Sequence, residues 1–139
     1  MSISSSNTRA AVVQMVSGKN VAANLAQARQ QLVSAKEQGA VLALLPENFA
    51  VFGSHQLQVA GDSESNRQGP LRQWMARQAK ELGLWLVGGT IPCTDQVINP
   101  QRVRAACFVY DEQGLEVARY DKIHLFDVDV KDAQGSYRE

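Results

Sequence analysis

Two side chains in this sequence stand where a charged group could do chemistry, Glu47 and Lys122. Glu47 sits in Leu45-Pro46-Glu47-Asn48-Phe49, directly after an unbroken apolar run. Such a run predicts a central strand covered on both faces, ended here by Pro46. The carboxylate is then expected at the carboxyl edge of a sheet, where α/β folds place their ligands. Held among Pro46, Phe49 and Phe52, it would be partly desolvated and raised toward the range of a general base. A lone glutamate after a strand is, however, more often a solvated loop carboxylate. Lys122 lies in Tyr120-Asp121-Lys122-Ile123-His124-Leu125-Phe126-Asp127. Aromatic and aliphatic neighbours suit a water-poor pocket, where an ammonium could stabilise a developing oxyanion. The plainer alternative is a surface lysine paired with Asp121 or Asp127.

The remaining candidates are weaker. His124 reads as a proton shuttle or, more simply, as a hydrogen-bonded packing residue. Cys107 alternates with Val103, Ala105 and Val109 and is expected to be inert core. Cys93 follows Pro92 in what reads as a loop, with no basic residue beside it to activate the thiol. Gly88-Gly89-Thr90 lacks the Lys-Ser/Thr of a phosphate loop and the spacing of a dinucleotide fingerprint. Its glycines are expected to let the backbone turn or approach a neighbour closely.

The elements that must position these groups are legible in the periodicity. Residues 9–15 (RAAVVQM) predict a buried strand. Between Asn20 and Gln38, Val21, Leu25, Ala28, Leu32 and Ala35 recur at helical spacing, with Asn20 as the cap and Gly39 as the stop. Residues 41–45 (VLALL) predict the strand that delivers Glu47. Residues 48–68 predict a long, mostly polar loop with at most a helical turn, a candidate functional rim. Pro70 opens a second helix that presents Leu71, Trp74, Met75, Gln78, Ala79 and Leu82 on one face and stops at Gly83. Residues 84–87 (LWLV) predict a third strand closed by Gly88-Gly89. Residues 102–110 and 115–120 predict an antiparallel hairpin across Asp111-Glu112-Gln113-Gly114. The order implies a mixed α/β sheet with helices on one face or both.

Composition narrows the class. The 139 residues are 45% hydrophobic, enough for a sizeable core. Fourteen basic and fourteen acidic side chains cancel without long runs, so no nucleic-acid partner is expected. No apolar stretch approaches a membrane span or a signal-peptide core, which predicts a cytoplasmic protein with a flexible segment over residues 1–8. Two cysteines without ligand spacing predict reduced thiols and no metal, and no cofactor motif is present.

Taken together, residues 10–15 (AAVVQM), Asn24-Leu25, residues 39–47 (GAVLALLPE), Gly88-Gly89-Thr90 and residues 120–129 (YDKIHLFDVD) resemble the nitrilase superfamily of carbon-nitrogen hydrolases. The continuation past His124 resembles the Nit branch of amidases, which includes omega-amidases and amidases of deaminated glutathione. The resemblance covers residues 9–139. It implies half of an αββα sandwich, a Glu-Lys-Cys site, a small amide substrate, no cofactor and a homo-oligomer. Carried over, Glu47 matches the general base, Lys122 the lysine that stabilises the tetrahedral intermediate, and Glu139, in residues 136–139 (SYRE), a second glutamate that positions substrate. The family's nucleophilic cysteine follows the lysine by several dozen residues, so this domain is expected to be truncated before it. Cys93 and Cys107 precede the lysine and match other parts of the pattern. An incomplete amidase is therefore the expected function, with a non-catalytic assembly partner as the alternative. An unrelated α/β binding module would require the motif match to be accidental.

Overall fold

In the computed structural model, which describes residues 7–95, 103–124, 127–129 and 136–138, the first apolar run forms strand β1 (Ala10–Val12). Helix α1 (Val21–Glu37) then leads to β2 (Leu42–Leu44). Asn20 caps α1 as its side chain predicts, its Oδ1 accepting from the Ala23 N–H at 3.0 Å. Helix α3 (Pro70–Leu82) begins on its proline and ends at Gly83, whose φ of 57° is the left-handed geometry that glycine reaches without a Cβ clash. It feeds β3 (Trp85–Cys93), and β4 (Arg104–Tyr110) and β5 (Glu116–Asp121) form the expected hairpin. In the Asp111-to-Gly114 turn, Asp111 Oδ1 accepts from the N–H groups of Gln113 and Leu115.

The five strands lie in sequence order. β1, β2 and β3 are parallel, and β4 and β5 add antiparallel, so β2 and β5 run in the same direction. Two successive right-handed crossovers in one direction place α1 and α3 on the same face of the sheet. There Ala28 and Leu32 of α1 meet Met75 and Trp74 of α3 over Leu45, Leu86 and Phe108. The other face carries Val12, Leu44 and Trp85, all exposed, and Val87, Cys107 and Val109, half-buried. The expectation that residues 41–45 are covered on both faces is therefore corrected. Among the described residues, helices cover one side only, and Val41 and Leu44 look outward.

Two further expectations change. The loop foreseen over residues 48–68 contains a ten-residue helix, α2 (Ser54–Ser63). Its buried positions at and just beyond its end are Gly61 and Glu64, not large apolar side chains, so no helical stripe betrays it. The third strand does not close at Gly88-Gly89 but runs through them to Cys93, with an irregular register between Gly88 and Ile91. A short antiparallel pair, β6 (Asp127–Asp129) with β7 (Ser136–Arg138), completes the described backbone. Of the segment foreseen as flexible, residues 1–6 lie outside the described residues, as does Glu139.

Candidate functional site

The carboxyl ends of β2 and β5 bring Glu47 and Lys122 together: Lys122 Nζ donates to Glu47 Oε1 at 2.9 Å. These residues are 75 positions apart in sequence, so the pairing is made by the sheet. Of the two carboxylates foreseen as plainer partners of Lys122, Asp121 holds Arg104 and Arg119, and the side chain of Asp127 lies outside the described residues.

Glu47 leaves the sheet on a turn fixed from several sides. Leu45 N–H donates to Val87 O at 2.9 Å, the last rung between β2 and β3. A side chain at Gly89 would run into Leu45 O and the Pro46 backbone, so glycine is what lets β3 pass beneath the turn. Immediately after Glu47, Asn48 has a positive φ of 53°, a region that Asn tolerates better than most residues. Its N–H donates to Thr90 Oγ1 at 3.2 Å. Next to it, Phe49 is fully buried against Trp74, with ring centroids 5.8 Å apart. Burying a phenylalanine contributes roughly 1.5–3 kcal/mol, which anchors the loop to the core.

A second brace comes from the loop between β1 and α1. Buried Asn24 donates through Nδ2 to Gly18 O at 2.8 Å and Ala50 O at 2.9 Å, and accepts from the Gly18 N–H at 3.0 Å. Ser17 Oγ donates to Phe49 O at 3.0 Å. Asn24, Asn48 and Thr90 therefore position the turn, and residue-by-residue reading assigned none of them that part. The signal was present only in the Asn24-Leu25 and Gly88-Gly89-Thr90 motifs, whose close-approach reading fits Gly89.

The expected surroundings of the pair are partly corrected. Phe49 turns into the core and Phe52 is exposed, so neither walls off Glu47, whose side chain is 54% exposed. Tyr120 and Ile123 are exposed as well, so they do not enclose Lys122, which is 26% exposed. The pair thus lies open at the sheet edge. His124 is exposed rather than packed. A groove of about 460 Å³ lined by Val21, Leu25, His55, Val59 and Leu71 lies elsewhere, between α1, α2 and the start of α3.

Neither thiol can serve this pair. Cys93 ends β3 in the core rather than lying in a loop, and burial, aided by the charge of Asp95, pushes it up to about 12. It is protonated at neutral pH and shielded from substrate. Cys107 is not full core as expected but half-buried on the uncovered face, and burial raises it too. Among the described residues no group of His, Cys, Asp and Glu could hold a metal ion, and no helix is long and apolar enough to cross a membrane. The arrangement supplies a proton acceptor and a fixed cation at one edge, the requirements for activating a nucleophile and stabilising an oxyanion.

Comparisons with known proteins bear on the family and the fold. A deaminated glutathione amidase from Yersinia enterocolitica is 37% identical over 133 residues, which is 96% of this chain and 46% of that protein. An omega-amidase NIT2 from Danio rerio is 34% identical over 131 residues, 90% of this chain and 43% of that one. The chain thus spans less than half the length of these curated relatives. The Caenorhabditis elegans NitFhit protein superposes with a TM-score of 0.76 over 92% of this chain and 30% of its own, at 21% identity. Saccharomyces cerevisiae Nit3, of the nitrilase superfamily, superposes with a TM-score of 0.70 over 86% of this chain and 51% of its own, at 22% identity. At those identities the structures show a shared fold. The carbon-nitrogen hydrolase pattern itself matches residues 9–139, and with it this chain belongs to the carbon-nitrogen hydrolase family.

Proposed function

We propose that this chain carries the general base and the lysine of a Nit-type amidase site, and that the nucleophilic cysteine is supplied from outside these residues. The observation that carries the reading is the 2.9 Å contact between Lys122 Nζ and Glu47 Oε1. In the reaction, an incoming thiol gives its proton to the Glu47 carboxylate and its sulfur attacks the amide carbon. Lys122 stabilises the negative oxygen of the tetrahedral intermediate. The proton goes to the departing nitrogen, ammonia leaves, and a thioester remains. Water, deprotonated by Glu47, then releases the carboxylic acid and restores the thiol. Glu139, outside the described residues, is assigned to substrate positioning on the resemblance alone.

The substrate class proposed is a small carboxamide, an omega-amide or deaminated glutathione, in keeping with the activities for which the relatives are named. A homo-oligomeric, cytoplasmic enzyme belongs to the same reading. The alternative is a non-catalytic assembly partner: neither described thiol reaches the pair, Cys93 lying in the core and Cys107 on the uncovered face of β4, so the described residues by themselves supply no nucleophile. Two measurements decide between them. An intact mass of the native gene product well above 15.2 kDa, with ammonia release from these amides that is lost in Glu47→Gln and Lys122→Ala, supports the enzyme. A native product of 15.2 kDa that releases no ammonia supports the partner.

A further inference from the structure

On the helix-covered side, a cluster of three arginines and three carboxylates reaches the candidate site without entering it: Arg72, Arg104 and Arg119 with Asp95, Glu116 and Asp121. It starts in the helix layer. Arg72 of α3 is 1% exposed, lies 4.5 Å over the Phe108 ring, and donates to Glu116 Oε2 at 2.6 Å and Asp95 Oδ2 at 3.1 Å. Asp95, just beyond β3, accepts two parallel bonds from Arg119 at 2.7 and 3.0 Å. Such a fork fixes direction as well as distance. Arg119 also lies 5.2 Å over Phe108, and its Nε donates to Asp121 Oδ1 at 2.8 Å. Arg104 holds the other oxygen of Asp121 at 3.2 Å. The next residue is Lys122.

Among the described residues β5 is an edge strand, hydrogen-bonded to β4 alone, and the pairing slips in register between Val109 and Tyr110. The rung Lys122 N–H to Ala105 O, 2.9 Å, fixes the height of the lysine but not the twist of the strand end. We infer that Arg119 and Asp121 are positioning residues for Lys122: the Asp95–Arg119–Asp121 chain ties the end of edge strand β5 to the helix layer and so aims the lysine at Glu47. Successive side chains of an extended strand leave it in opposite directions, so turning Asp121 turns Lys122. The chain is anchored at its inner end, where Arg72 is buried and Asp95 nearly so, and becomes more exposed toward Asp121, so its hold on the strand end comes from the directed fork at Asp95. The consequence for turnover rests on the amidase reading; the tether itself does not.

The test on this 139-residue chain is the rate at which a limiting amine-acylating reagent modifies Lys122, read by peptide mass spectrometry against Lys19 and Lys80. Asp121→Asn is expected to raise the Lys122 rate by about fivefold relative to those references, the factor for loosening a contact by about 1 kcal/mol. Arg119→Lys keeps the charge but loses the fork, is expected to act in the same direction, and decides the matter should Asp121→Asn not fold. An unchanged Lys122 rate overturns the inference, and so does a uniform rise at all three lysines, which marks a merely structural part. In the full-length gene product, Asp121→Asn should lower kcat with KM held, since the lysine acts on the transition state. Selective loosening of Lys122 with kcat unchanged would leave the tether standing and sink the reading of Lys122 as a catalytic lysine.

Discussion

The two halves of the Glu47–Lys122 pair are held in place by different physics. Around Glu47 the supports are neutral and close at hand: a glycine that admits a crossing backbone, the Thr90–Asn48 and Asn24 hydrogen bonds, and the buried Phe49 ring. Around Lys122 they are ionic, a relay from Arg72 to Asp121 across α3, the end of β3 and β5. The difference follows from position. β2 is an interior strand, so packing and ladder bonds reach Glu47 from both sides, while β5 is an edge where, among the described residues, only β4 offers rungs. Directional bonds between charged side chains replace the missing neighbour. Neutral supports respond little to pH or salt, whereas the ionic ones respond to pH, so the pair should fail at its two ends under different conditions.

The largest effect that would break this contrast is at Arg72. Arg72→Ala removes a nearly inaccessible cation from Asp95 and Glu116, and breaking a buried ionic group of this kind costs about 3–5 kcal/mol. Urea unfolding of the variant should show a loss in that range. A loss under 1 kcal/mol would mean the cluster behaves as a solvated surface array and the contrast is lost. Gly89→Ala comes next. Its methyl group meets backbone at Leu45 and Pro46, which cannot rotate aside, and overpacking costs roughly 1–3 kcal/mol. Because the strain falls on the turn that carries Glu47, this variant should also free Lys122 for acylation, whereas an equally destabilising core change such as Leu32→Ala should not.

Acid separates the ends without mutation. Burial pushes the Asp95 carboxyl up, but hydrogen bonds and charge from Arg119, then Arg72, outweigh it and hold the group below its usual 3.8. A depressed folded value means that its contribution is present above 3.8 and is lost as pH falls through the lower folded value. Glu64 works in the opposite sense. Burial raises it above 4.5 despite the Leu71 and Arg72 N–H groups it accepts from, so its contribution is present below 4.5 and lost as pH rises through the raised value. Urea midpoints followed from neutral pH into acid should therefore fall less steeply for Asp95→Asn than for the unmodified chain, and more steeply for Glu64→Gln. Parallel curves for all three proteins would show that the carboxylates do not set the acid limb.

These supports also divide what the sequence discloses from what it hides. The strand before Pro46, the Asn20 cap, the Pro70 and Gly83 bounds of α3 and the hairpin turn are local signals, and each is found in the fold. Glu47 and Lys122 are singled out by residue type and setting, but their meeting depends on strand order, which no local pattern contains. Arg72 is more hidden still. It sits in α3 beside an apolar stripe and reads as a solvent-facing charge until partners 23 and 44 residues away are known. α2 escaped notice because its close contacts use Gly61 and Glu64. The exposure of the pair was misjudged because Phe49 was expected to face Glu47, and a packing direction cannot be read from proximity in sequence.

The smallest effect tests the neutral end alone. Thr90→Val keeps the shape of the side chain and removes the hydroxyl that accepts the Asn48 N–H at 3.2 Å. The same hydroxyl lies 3.5 Å from Asn48 Oδ1, too long to add much. One ordinary hydrogen bond contributes about 0.5–1.5 kcal/mol, and Val introduces no clash of its own, so the stability change should lie in that range. No charge is involved, so the loss should be the same at neutral pH and in acid, at low and at high salt. A loss that grew on acidification would show that the Glu47 turn is coupled to the ionic cluster after all, and that the two ends of the pair form one cooperative support.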